Sequence, residues 1–170
     1  MQLVHQFEVA APLERTWAFF QDVPAVAECM PGFERIEMTE PNTYAGAIRL
    51  KVGPLGFRLT GNLVRQAIDV AEHTAVLGVQ AEDRGLASAV SATLRLALTS
   101  DDGDTHVTLH TEANVLGKLG QFGQGAIKLA ADSVMKQFAG RVRERLASPE
   151  SVAATEPADR TDRTDRSGPS

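Results

Sequence analysis

Between a helical stretch bounded by Pro12 and Pro31-Gly32 and an amphipathic run from Leu119 to Leu146, about eighty residues alternate apolar and polar with the period of two expected of half-buried strands. That layout narrows the possible folds more than any other feature. The strand-like segments are joined by short connections, among them Gly53-Pro54-Leu55-Gly56 and Asp101-Asp102-Gly103-Asp104. A parallel crossover needs about a dozen residues or more, so connections this short favour antiparallel pairing. The pattern predicts an α+β fold in which a curved antiparallel sheet is covered by one long helix.

In detail, strands are expected at 3–9, 33–40, 43–53, 56–68, 73–83, 86–99 and 104–115. After the first strand, Pro12 suits the first turn of a short helix, and Leu13, Trp17 and Phe20 continue it at helical spacing. A second short helix is expected from Pro24 to Cys29. The long helix, at roughly 117–147, carries Phe122, Ala126, Leu129 or Ala130, Val134, Phe138, Val142 and Leu146 along one stripe.

A chain of 170 residues fits one domain, assigned to 1–147. From Ser148 the composition turns polar, with prolines and the run Asp-Arg-Thr-Asp-Arg-Thr-Asp-Arg, so 148–170 is expected to be a disordered tail. With 22 acidic against 17 basic residues and no Lys/Arg block, nucleic acid is not an expected partner. Cys29 is the sole cysteine, which rules out an internal disulfide and a cysteine-based metal site and suits a reducing compartment. No segment approaches the ~20 apolar residues of a membrane span, and the N-terminus has no signal-like pattern. The expectation is a cytoplasmic protein making at most peripheral, transient contact with the inner face of the membrane.

Alternation also sorts the strand faces. Tyr44, Gly46, Ile48, Leu50 and Val52 share one face, as do Phe57, Leu59, Gly61 and Leu63, and likewise Val90, Ala92, Leu94, Leu96 and Leu98. Small residues recur on these inward sets or near them, including Gly46, Gly61, Ala75, Ala81, Ser88, Ala92 and Ala113. A strongly curved sheet lined this way leaves an apolar interior that its own side chains do not fill, and such a space is a ligand site. The alternative is that Trp17, Phe122 and Phe138 fill it while the glycines serve only bending.

Chemistry-bearing residues are sparse. Cys29 has no histidine or acid at an informative spacing and reads as a small apolar side chain. Gly117, Gly120, Gly123 and Gly125 do not follow the G-x-G-x-x-G order and do not sit in a parallel βαβ unit; Gly117, Gly120 and Gly123, spaced by three, are read as allowing close packing of the helix start against the sheet, the alternative being that they loosen it as a gate for a bulky ligand. His106 and His110 alternate with Val107 and Leu109 and should face solvent. His5 shares the face of Leu3, Phe7 and Val9 and is the only histidine expected near the interior, as a satisfied core residue. No residues have metal-ligand spacing, and no catalytic residue is assigned.

Ala11-Pro12, Trp17, Asp22, Cys29-Met30-Pro31-Gly32, Lys51-Val52-Gly53-Pro54, Phe57, Gly61, Gly117-Lys118-Leu119 and Gln137-Phe138 carry a resemblance. Taken together they resemble the G-subunit family of carbon monoxide dehydrogenase, within the START and Bet v 1-like (SRPBCC) superfamily, over most of residues 3–146. Two features depart from the family pattern: the proline after Asp22 comes one position late, as Pro24, and the tail has no evident apolar anchor. The resemblance implies a helix-grip fold, with seven antiparallel strands gripping a C-terminal helix around a deep hydrophobic cavity. It implies a non-catalytic accessory factor without metal centres of its own, which recruits a molybdenum hydroxylase of the carbon monoxide dehydrogenase type to the membrane or carries a quinone or other lipophilic ligand to it.

The residues expected around the cavity are Trp17, Phe20, Tyr44, Ile48 and Phe57, together with Leu59, Phe122, Leu129 and Phe138. For Trp17, a place in the core competes with a place at the ligand. Two rival functions remain. One is a polyketide cyclase-like enzyme, for which only His5 and Tyr44 offer an acid or base. The other is an assembly or membrane-recruitment factor whose outer surface binds the hydroxylase.

Overall fold

The computed structural model describes residues 1–147. The expected tail at 148–170 lies outside the described residues. In chain order the elements are β1 (Gln2–Val9), α1 (Leu13–Gln21), α2 (Val23–Glu28), β2 (Phe33–Glu40), β3 (Thr43–Val52), β4 (Leu55–Asp69), β5 (Thr74–Asp83), β6 (Ser88–Asp101), β7 (Asp104–Gly117) and α3 (Gly123–Ala147), with one 3₁₀ turn at Gly120–Phe122. The seven strands form one sheet in the order β1-β7-β6-β5-β4-β3-β2. Every neighbouring pair is antiparallel. This is the helix-grip architecture, with α1 and α2 inserted between the two edge strands.

Most boundaries follow the alternation, and the differences have local causes. The β6–β7 hairpin closes through Asp102 and Gly103, both at positive φ, so the ladder runs to the pair Asp101↔Asp104 instead of stopping at residue 99. Pro12 is the residue before α1, extended at φ −63° and ψ 153°, and the helix begins at Leu13. Asp22 caps α2 by accepting from the backbone N–H of Ala25 at 3.2 Å.

The long helix starts later than its periodicity suggests. Gly117 is still a strand residue paired with Ser88, and a Cβ there would lie 1.8 Å from the Ala87 carbonyl oxygen. A Cβ on Gly120 would lie 2.7 Å from the Val115 carbonyl oxygen, whereas Gly123 has open space around it and is required by its φ of +84°. Close packing therefore accounts for Gly120, close packing together with a φ of +78° for Gly117, and backbone conformation for Gly123.

On β4, Gly61 pairs with Gly46 of β3 and with Ala81 of β5. A Cβ on Gly61 would fall 1.8 Å from the Gln80 carbonyl oxygen, so no larger residue fits there. The sheet wraps α3 and leaves two separate apolar clusters. One gathers Phe7, Val9, Trp17, Leu98, Phe138 and Val142. The other gathers Val52, Phe57, Leu59 and Leu119, with Phe122, Ala126 and Ala130 packed on it.

Candidate functional site: an apolar cavity under the long helix

Between the clusters lies a cavity of about 370 Å³. That is within the roughly 300 to 1,000 Å³ typical of small-molecule sites. Its sheet wall is built from inward side chains of neighbouring strands, such as Ile48, Leu59, Leu77 and Leu94, and the facing wall from Phe20 of α1, Met30 of the connection between α2 and β2, and Met135 and Phe138 of α3. Alternation puts the strand residues there, and small side chains at Gly46, Gly61, Ala75 and Ala81 keep the space from filling. Ser88 does something else. Its hydroxyl donates to the Leu86 carbonyl at 3.0 Å and accepts from the Leu119 N–H at 2.9 Å, tying β6 to the segment that enters α3.

Of the nine residues expected around the cavity, Phe20, Tyr44, Ile48, Leu59 and Phe138 line it. Trp17, Phe57, Phe122 and Leu129 do not. Trp17 is 5% exposed in the core and meets His73 edge-on, with ring centroids 5.3 Å apart. Phe20, three residues later on α1, is rotated by about 60° and faces the cavity instead. Phe57 and Phe122 pack edge-to-face at 6.3 Å within the second cluster, where they close that end of the space. Leu129 is 72% exposed, and it is Ala130 that faces the sheet.

The histidines also need one correction. His5 is half-buried, donating from Nε2 to the Asp132 carboxylate of α3 at 2.8 Å, and it is not part of the cavity wall. His73 is covered to the same degree, with side-chain exposure of 14% against 15% for His5. Held against Trp17 and 2.7 Å from Glu14, it is a second partly interior histidine that strand alternation does not reveal, because it sits in the β4–β5 turn at φ +55°. His106 lies on the outer face, held by Glu8 and Gln6. Burial pushes the Cys29 thiol above its usual range, with Arg145 and Arg141 only partly opposing, so it is a poor nucleophile.

Polar groups on the wall are few: Gln21, Arg35, Tyr44, Asn62 and Arg65. No carboxylate, histidine or thiol belongs to the described lining. Arg65 is the unusual one. Its Nη1 donates to the carbonyl of Gln21 at 3.0 Å, where α1 ends and a cation is favoured, yet its Nε–H is buried with no acceptor. A buried donor left unpaired costs about 1 to 3 kcal/mol. Arg65 continues the Phe57, Leu59, Gly61, Leu63 alternation by one step, so the signal that places it inside is present in the sequence.

No curated protein matches the chain significantly. Among solved structures, a conserved protein from Geobacillus kaustophilus superposes with a TM-score of 0.80 at 19% identity, covering 88% of this chain and 97% of its own. The Zhui aromatase/cyclase from Streptomyces superposes at 0.60 with 15% identity, covering 88% and 94%. Norcoclaurine synthase from Thalictrum flavum gives 0.56 at 15% identity, covering 87% of each chain. At such identities the likeness extends to the fold. The sequence profile of the carbon monoxide dehydrogenase G subunit, CoxG, matches residues 6–147, from within β1 to the end of α3, and the chain belongs to the CoxG family.

Proposed function

We propose that this protein is a non-catalytic carrier of a lipophilic molecule, a quinone, serving a molybdenum hydroxylase of the carbon monoxide dehydrogenase type. The observation that carries the reading is the apolar cavity of about 370 Å³ between sheet and α3. An isoprenoid tail burying about 200 Å² of apolar surface there gains about 5 kcal/mol before the costs of ordering ligand and wall. Family membership supports the choice of partner, and a quinone is an electron acceptor suited to such an enzyme. No helix among the described residues is long and apolar enough to cross a membrane.

The lining favours holding a ligand over transforming it. A cyclase needs an acid or base aimed at its substrate. Tyr44 is the lining residue of that kind, and His5 is engaged by Asp132 instead.

Solvent extraction of the purified protein, followed by mass spectrometry, tests the reading. The expected result is an isoprenoid quinone near one per chain, or, if purification strips it, a rise in melting temperature when a short-tailed quinone is added. An extract free of quinone, together with an unchanged melting temperature, contradicts it.

A further inference from the structure

Resting on the carrier reading, the geometry points to Arg65 as the residue that anchors the ligand's polar head, by donating its Nε–H to an oxygen acceptor such as a quinone ring carbonyl. Three observations converge. Arg65 lines the cavity, its Nε is buried without a partner, and it forms no ion pair among the described residues. A guanidinium so placed cannot shed its charge, so an incoming acceptor, met by a shift of the side chain that bares the buried Nε–H, is the way its donor becomes satisfied.

The surroundings orient the head. Tyr44 pairs with Leu63 across β3 and β4, and Arg65 is two residues further along the same face, which makes Tyr44 and Arg65 diagonal neighbours about 7 to 8 Å apart at Cα. Gln21 joins them from the end of α1. The side chains beyond this corner, Leu59, Leu94, Leu96 and Phe138, are apolar and suit a hydrocarbon tail. The site therefore recognises an amphipathic molecule: one acceptor-bearing ring or head on an otherwise apolar body. A carboxylate on a fatty acid offers the same acceptor chemistry, and the test separates the two.

The experiment titrates wild type, Arg65→Met and Arg65→Lys with three probes: a short-tailed naphthoquinone, the naphthalene carrying the same tail but no ring oxygens, and a fatty acid of similar length. A charge-assisted hydrogen bond is worth about ten- to a hundredfold in affinity. Wild type is expected to prefer the quinone to the hydrocarbon by that factor. In Arg65→Met the preference collapses while hydrocarbon affinity stays within about threefold, and the infrared carbonyl band of bound quinone moves back toward its unbonded frequency.

Because Arg65 also holds the end of α1, Arg65→Lys keeps a cation there while removing the Nε–H, and it should fold with the quinone preference still reduced. Equal quinone preference in wild type and in a folded Arg65→Lys or Arg65→Met overturns the anchor and leaves the carrier intact. Binding of the fatty acid alone, lost with Arg65, keeps the anchor and overturns the quinone. Failure of all three probes to bind wild type overturns both.

Discussion

The ring of Phe7 on β1 meets the ring of Phe138 on α3 edge-to-face, with centroids 6.2 Å apart, and so joins the first strand to the last helix at one end of the cavity. Phe20 of α1 approaches the same Phe138 ring at 6.4 Å. Phe138 is thus both core and wall. Its replacement by alanine is expected to cost about 3 to 5 kcal/mol in urea unfolding, with Phe138→Leu costing clearly less. An alanine variant as stable as wild type would mean that α3 is not seated as described.

The rotational setting of α3 gives a second test. Leu129 is 72% exposed and Ala130 packs on the cluster of Val52, Phe57, Leu59 and Leu119. Leu129→Glu should therefore change stability by no more than about 0.5 kcal/mol, while Ala130→Glu, one residue on, should lose about 2 kcal/mol or more by placing a charge in the apolar contact. Chemical denaturation of the pair checks this, and the reverse ranking would show a helix turned by one position.

Asp132 bonds to Lys128 at 2.8 Å and to His5 at 2.8 Å, and these two partners, Lys128 first, hold its carboxyl below the ordinary aspartate range. A depressed folded value means that the contribution to stability is present above the unfolded value and is lost as pH falls through the folded one. The gap in urea midpoint between wild type and Asp132→Asn should accordingly be widest near neutrality and close in acid. A gap independent of pH across the carboxylate range would contradict the linkage.

Cys29 is 1% exposed, and its thiol is raised by burial. A thiol-specific reagent should label the native protein slowly and the denatured protein at the rate of a free cysteine. Rapid labelling in the native state would place Cys29 at the surface.

Period-two alternation is enough to place all seven strands and to put Tyr44, Ile48 and Leu59 on the inner face, because a strand's side chains have only two directions to choose from. The same rule extends to Arg65, where the polar side chain masks an inward position. Helical phase is harder to read. The 3₁₀ turn at Gly120–Phe122 and the positive φ of Gly123 reset the rotation of α3, so an apolar stripe counted from residue 117 cannot separate Leu129 from Ala130 and passes over Met135. On α1, Trp17 and Phe20 are both apolar and only three residues apart, and which of them meets the cavity depends on the turn that brings His73 against Trp17. Such contacts between distant segments leave no periodic trace.

Filling the hollow tests its existence most directly. Val79 points inward from β5 onto the cavity wall, and Val79→Trp adds a bulky ring where there is open space. Isothermal titration of a short-tailed quinone into wild type and Val79→Trp is the measurement, with thermal unfolding to establish that both are folded. One-to-one binding by wild type, abolished or weakened by at least about tenfold in a variant of near wild-type stability, is the expected result. Unaltered binding by a folded Val79→Trp would place the ligand elsewhere, and a variant that cannot accommodate the tryptophan at all would mean that the interior is already full.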